Sequence, residues 1–354
     1  MKRLMLARQG LHRLLTIRLL AQEKPTDMES DGINVCFFGI NRSLSFTHNS
    51  IKTKLIDKLQ AIFDPSQIVI SSCLNRPALS KITNPRSGEV DSPEDSHPYL
   101  LEVSDFYKEN NQEEFDHWFD YQAILNFGDV FSDTTLINST NQRARRPNGS
   151  LVNIARALYA LKSSYEMLPE ERKKLPTIFA RPDLDIIGNL DIHFYLNLLN
   201  ASDDIIVAPT WHSWGGINDR LAICSGGKSS FTYASRFDAV HMYLELSQRP
   251  LHPETFLYDI MRLRHIHILP IIDCKLVRVR SCGTPSFKDA VSNDDFEYLQ
   301  SESKTWSLLL EQLRLMNEQI QETQSIKVYA LGSIKRKLRS ITNLRIKFYR
   351  RPSN

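Results

Sequence analysis

The chain has 354 residues, of which 42% are hydrophobic and 24% charged, and it contains no run of eighteen apolar residues. This is ordinary soluble usage, with length for one large α/β domain or two modest ones, and it excludes collagenous, coiled-coil and multi-span membrane classes. The formal charge of +3 conceals an asymmetry: residues 1–20 carry five Lys/Arg and residues 326–354 carry nine, neither with an acid, which leaves 30 basic against 41 acidic residues between them, or −11. An acidic body with basic ends argues against nucleic acid as a partner and for contact of the ends with an anionic membrane surface.

In chain order, residues 1–32 read as a basic extension and polar linker. The opening MKRLMLARQGLHRLLTIRLL scatters Arg through its apolar residues, unlike an export signal. It suits an amphipathic surface helix, a transit peptide or a frayed end. The first core element is INVCFF at Ile33 to Phe38, a buried strand stopped by Gly39. A helix is expected over Asn49 to Phe63, and QIVIS at Gln67 to Ser71 gives a second strand, so a parallel βαβ unit opens the fold. Residues 75–118 lose periodicity and are expected to form a loop-rich insertion.

Beyond it, helical spacing returns over Ser150 to Met167. Strands follow at TIFA (Thr177 to Ala180), IIVA (Ile205 to Ala208), Leu221 to Cys224 and Leu276 to Arg280, with helices over Ser229 to Leu246 and Pro253 to Arg262. Alternating β and α segments predict a mostly parallel central sheet flanked by helices over residues 33–300. An amphipathic helix over Ser303 to Gln321 and a basic tail make residues 301–354 a C-terminal extension. Its interleaved aliphatic and basic residues fit an anionic lipid surface or a solvated tail. Five cysteines without a CxxC pair indicate reduced, cytoplasmic chemistry.

Asp183 and Asp185, in RPDLDI directly after TIFA, are carboxylates of the kind that hold Mn2+ or Mg2+ beyond a strand's carboxyl end; the competing reading makes them turn and loop residues. PTWHSWGGINDR joins flat Trp211 and Trp214, flexible Gly215 and Gly216, and polar Asn218, Asp219 and Arg220. That mixture grips sugars, with Asp219 as a base toward an acceptor hydroxyl, or else supplies core aromatics and a structural ion pair. Gly39 and Arg42 after the first strand, Arg181 beside the Asp pair, and Arg236 in FTYASRFD are candidate phosphate or sugar contacts, or surface and pairing arginines. GxGxxG and Walker patterns are absent, so dinucleotide and P-loop readings fail. His265 and His267 in RHIHILP alternate on one strand-like segment, the geometry of a metal-ligand pair or, without a third ligand nearby, of a solvated edge; Cys36 reads as inert packing, and HPETF at His252 to Phe256 as a helix start.

In order, VCFFG with Arg42, NIARALYAL, IFARPDLDI, IIVAP, WGGINDRLAICS and FTYASR resemble bacterial glycosyltransferases of lipopolysaccharide and capsule synthesis, of the WavE-like type. The resemblance spans about Ile33 to Gly283 and does not extend to the insertion or the two ends. It implies a GT-A-like fold and a nucleotide-sugar-dependent hexosyltransferase, with a UDP- or GDP-sugar donor and a glycan or lipid-linked acceptor. It also implies metal and diphosphate contact at Asp183 and Asp185, and donor or acceptor contact at Asn218, Asp219 and Arg220. A noncatalytic sugar-binding or scaffolding protein on the same body is the alternative.

Overall fold

The computed structural model describes residues 31–77, 81–84, 89–127, 149–200, 202–209, 213, 216–271 and 274–286, all within one compact unit, Met1–Leu299. The expected Ser303 to Gln321 helix and both basic ends lie outside the described residues.

Strand β1 (Ile33–Ile40) is buried along nearly its whole length, as a strand covered on both faces must be. Helix α1 (Leu44–Ile51) runs through one π-helical turn, Lys52–Ile56, into α2 (Asp57–Gln60). It returns the chain to β2 (Ile68–Arg76), which pairs parallel with β1 from Ile33 opposite Ile68 to Ile40 opposite Asn75. The expected βαβ unit is therefore present. Its helix starts five residues before Asn49, because Leu44 is buried and supplies an earlier apolar position.

Residues 75–118 hold more structure than a loop-rich insertion. A hairpin, β3 (Lys81–Asn84) and β4 (Glu89–Pro93), is followed by α3 (Tyr99–Val103) and β5 (Phe106–Asn111), which joins the central sheet beside β2. FYKENN is an edge strand with a largely exposed, polar pattern, so it carries no apolar run to betray it. Helices α4 (Gln112–Trp118), capped by the Asn111 side chain on Glu113 N at 2.8 Å, and α5 (Tyr121–Leu125) complete the segment.

Helix α6 (Gly149–Glu166) buries Leu151, Ala155, Leu158, Leu161 and Tyr165 on one face, which packs across β1 and β2. Then come β6 (Thr177–Ala180), β7 (Leu184–Gly188), α7 (Ile192–Leu199), β8 (Ile205–Pro209), β9 (Leu221–Cys224), α8 (Gly227–Ala234), α9 (Val240–Ser247), α10 (Pro253–Leu263), β10 (His267–Ile271) and β11 (Cys274–Arg278). The seven-strand order is β5-β2-β1-β6-β9-β8-β10, with β9 antiparallel to both neighbours and every other pairing parallel. This is the expected α/β class, a mostly parallel central sheet flanked by helices. Two details differ. LDIIG, which includes Asp185, is strand β7 rather than loop, and β11 pairs with it antiparallel in a separate ribbon instead of joining the central sheet. His265 sits in a turn at φ 54° and the strand begins only at His267, so the two histidines do not alternate along one strand.

Candidate functional site at the carboxyl edge of the sheet

Parallel strands bring their carboxyl ends to one edge, where open α/β sheets bind ligands. Gly39 near the end of β1 has φ +113°, a conformation that favours glycine, and nothing within 4 Å of where a Cβ would stand. Arg42 follows β1, Arg181 follows β6, and Arg220 precedes the antiparallel β9, so all three arrive at this edge. Arg181 N donates to Arg220 O at 3.1 Å, extending the β6–β9 ladder into the site.

Asp183, in the turn between β6 and β7, is 1% exposed and clasped by two guanidiniums. Arg42 donates through Nε at 2.9 Å and through Nη2 to Asp183 Oδ2; Arg181 donates through Nε to Oδ1 at 2.9 Å and through Nη2 to Oδ2 at 2.7 Å. Burial alone would push this carboxyl up, but Arg181 and Arg42 outweigh it and hold it well below the usual carboxylate range. Thr47 Oγ1 donates to Pro182 O at 2.6 Å and Ile186 N donates to Ser50 Oγ at 2.9 Å, which pins the turn to α1.

The expected Mn2+ or Mg2+ has to be weighed against that geometry. A divalent ion needs carboxylate oxygens that face it, and both oxygens of Asp183 already accept from cations in a closed position. Asp185, half-buried on β7, is the only open member of the pair, and no group of three or more His, Cys, Asp or Glu side chains suited to a metal occurs among the described residues. The residues present do not fit Asp183 as a metal ligand.

A second cluster forms where the chain enters β9. A Cβ on Gly216 would stand 1.8 Å from Glu254 O, so glycine is needed there for close approach of two backbones rather than for unusual torsions. Ile217 N donates to that same carbonyl at 3.0 Å, fastening the loop to the first turn of α10. Asn218 Oδ1 accepts from Arg220 N at 3.1 Å, and Tyr233 Oη donates to Asp219 O at 3.0 Å. Glu254, 8% exposed, lies within reach of the Asp219 charge. Burial and then the Asp219 charge push the Glu254 carboxyl up to about 8, against weaker opposing pulls from Arg220 and Arg278. His252 Nδ1 lies 3.4 Å from Glu254 Oε2; burial lowers its pKa against the pull of Asp219. Arg278 ends β11 opposite Leu184, so the small ribbon ties this cluster to the Asp183 turn.

The tertiary fold thus gathers Gly39, Arg42, Arg181, Asp183, Asn218, Asp219 and Arg220 along one sheet edge. Trp211, Trp214 and Gly215 lie outside the described residues. Arg236 departs from the expected open sugar contact: it is 2% exposed, its guanidinium 4.1 Å from the Tyr233 ring centroid, with Nε and Nη1 buried and lacking a hydrogen-bond partner. Glu254 and Arg278 are the members that sequence reasoning missed. Glu254 sits in HPETF, where an acid at a helix start reads as a dipole-friendly residue and nothing local reveals that Asp219 faces it.

Fold and site together define an α/β protein with a polar, arginine-rich site at the carboxyl edge of its sheet, beside the buried Glu254 and the half-buried Asp219. No family model matches the chain, and no curated protein matches it. Among solved structures it is similar to mouse xyloside xylosyltransferase 1 in its apo form, at 9% identity and a TM-score of 0.34 over 68% of this chain and 85% of that one, a likeness too remote to assign an activity. No helix among the described residues is long and apolar enough to cross a membrane.

Proposed function

We propose that the chain is a nucleotide-sugar-dependent glycosyltransferase that moves a sugar from a UDP- or GDP-sugar to a hydroxyl of a glycan or lipid-linked acceptor. The observation that carries this reading is the juxtaposition, at one sheet edge, of an arginine set with the Asp219 and Glu254 carboxyls. Glycosyl transfer needs both: positive charge for the departing diphosphate and a proton acceptor for the attacking hydroxyl. The bond from the anomeric carbon to the phosphate oxygen breaks with its electron pair on the leaving group. The acceptor oxygen bonds to that carbon, and its proton passes to the Asp219–Glu254 pair. Asp219 takes the proton, with the Glu254 carboxyl beside it.

The motif resemblance supports a role in surface polysaccharide synthesis, and the basic ends support peripheral attachment to an anionic membrane on the cytoplasmic side. The test is a panel of nucleotide sugars incubated with glycan and lipid-linked acceptors, read as release of nucleoside diphosphate. Release that requires both acceptor and Asp219 supports the reading. Nucleotide or glycan binding without turnover supports the sugar-binding alternative instead.

A further inference from the structure

Resting on the glycosyltransferase reading, we propose that the donor diphosphate is held by guanidinium groups in place of a divalent cation, with Arg181 as the contacting group and Asp183 as the residue that positions it. Arg42 and Arg181 together place four N–H donors on the two oxygens of Asp183, and that carboxylate is 1% exposed. A cation arriving there would have to expel a guanidinium from a low-dielectric position, at the cost of leaving that charge buried without its partner.

The three side chains differ in depth. Those of Arg42 and Asp183 are 6% and 1% exposed, whereas that of Arg181 is 19% exposed. Arg42 and Asp183 therefore form the backing, and Arg181 is the member that reaches solvent. Its fork is fixed by Nε on Oδ1 and Nη2 on Oδ2, the two-point geometry that gives arginine its directionality. Around it arginines gather: Arg42, Arg181, Arg220 and Arg278 come to one edge, beside Asp183, Asp185 and Asp219. Beside Arg42, Ser43 Oγ is buried and meets no hydrogen-bond partner, a hydroxyl able to donate to a phosphate oxygen at the same turn.

In the transfer, the electron pair of the breaking bond stays on the phosphate oxygen and is neutralised by fixed guanidinium charge, so no metal or other co-reactant enters the balance. Asp183 does not touch the substrate; it acts through Arg181.

The test uses the full chain. Free Mn2+ is followed by EPR as protein is added, and thermal unfolding is followed with UDP, GDP and inorganic pyrophosphate, in EDTA and in Mn2+. The expected result is an equal rise in melting temperature in both buffers and an undiminished free Mn2+ signal. In Arg181→Ala, nucleoside diphosphate affinity is expected to fall about 10-fold or more, and millimolar guanidinium ion to restore it, a rescue that a folding defect would not show. Protection that appears only with Mn2+, or Mn2+ uptake by the wild type that Asp183→Asn abolishes, overturns the inference and leaves the transferase reading intact. Undiminished affinity in Arg181→Ala overturns it as well. Absence of protection by every nucleoside diphosphate in both buffers overturns the transferase reading and this inference with it.

Discussion

Asp183 and Glu254 are both buried acids on the same edge of one sheet, yet their carboxyls move in opposite directions. Burial pushes each upward. At Asp183 two guanidiniums at hydrogen-bond distance overwhelm that push; at Glu254 an acidic neighbour adds to it and two arginines oppose it only weakly. The comparison teaches that burial does not set the charge of an interior acid. The partners supplied by other strands and helices do, and here they give the site one carboxylate locked as an anion and one that holds its proton at neutral pH.

Neutral replacements of each acid test the contrast from both sides. Glu254→Gln is expected to lower transfer about 10²–10⁴-fold, the usual contribution of a proton-handling group, measured as nucleoside diphosphate release. Its effect on stability has the opposite sign. In the wild type, Glu254 keeps its proton when folded up to about pH 8 but loses it near 4.5 when unfolded, so it costs stability increasingly as pH rises through that window. Denaturant unfolding should therefore show Glu254→Gln gaining on the wild type from pH 4.5 to 8, with no gain below. A flat difference would break the comparison.

Asp183→Asn is expected to destabilise by about 3–5 kcal/mol, because two closely held guanidiniums lose their counter-charge. A carboxyl whose folded pKa is depressed stabilises above its unfolded value and loses that contribution as pH falls, so this gap should be full at pH 7 and shrink in acid. Gly216→Ala asks whether the loop must touch α10 to build the second cluster. The new methyl would overlap Glu254 O, and a loss of about 1–3 kcal/mol is expected, together with loss of transfer. Asp219→Asn removes the proposed proton acceptor and should abolish transfer; its effect on the neighbouring acid is the smallest and sharpest of the readouts. Removing the neighbouring charge should bring the Glu254 titration down, read by carboxyl NMR in labelled protein, while Asp183 is left as it was.

Much of the architecture was legible because apolar runs announce strands that are buried on both faces: INVCFF, QIVIS, TIFA, IIVA and LAIC all became strands of the central sheet. FYKENN was not legible, since an edge strand exposes polar side chains and looks like loop. LDIIG was hidden for another reason: it begins between the two aspartates, carries Asp185, and finds its partner about ninety positions later in β11, a distance that no local pattern spans. At the site, Arg42, Arg181, Asp183 and Asp219 stood out by type and by position after or before strands. What they do to one another did not.

The sequence alone determined the class of fold, through the period and length of its apolar segments, and it nominated the strand ends where polar residues cluster. Only the tertiary structure decided that Asp183 faces two arginines from separate strand ends, and that Glu254 at the start of a helix faces Asp219 from a loop. Charge interactions inside a protein depend on distance and burial rather than on order along the chain, so Arg42, 141 positions from Asp183, joins the near neighbour Arg181 in holding that carboxyl as an anion.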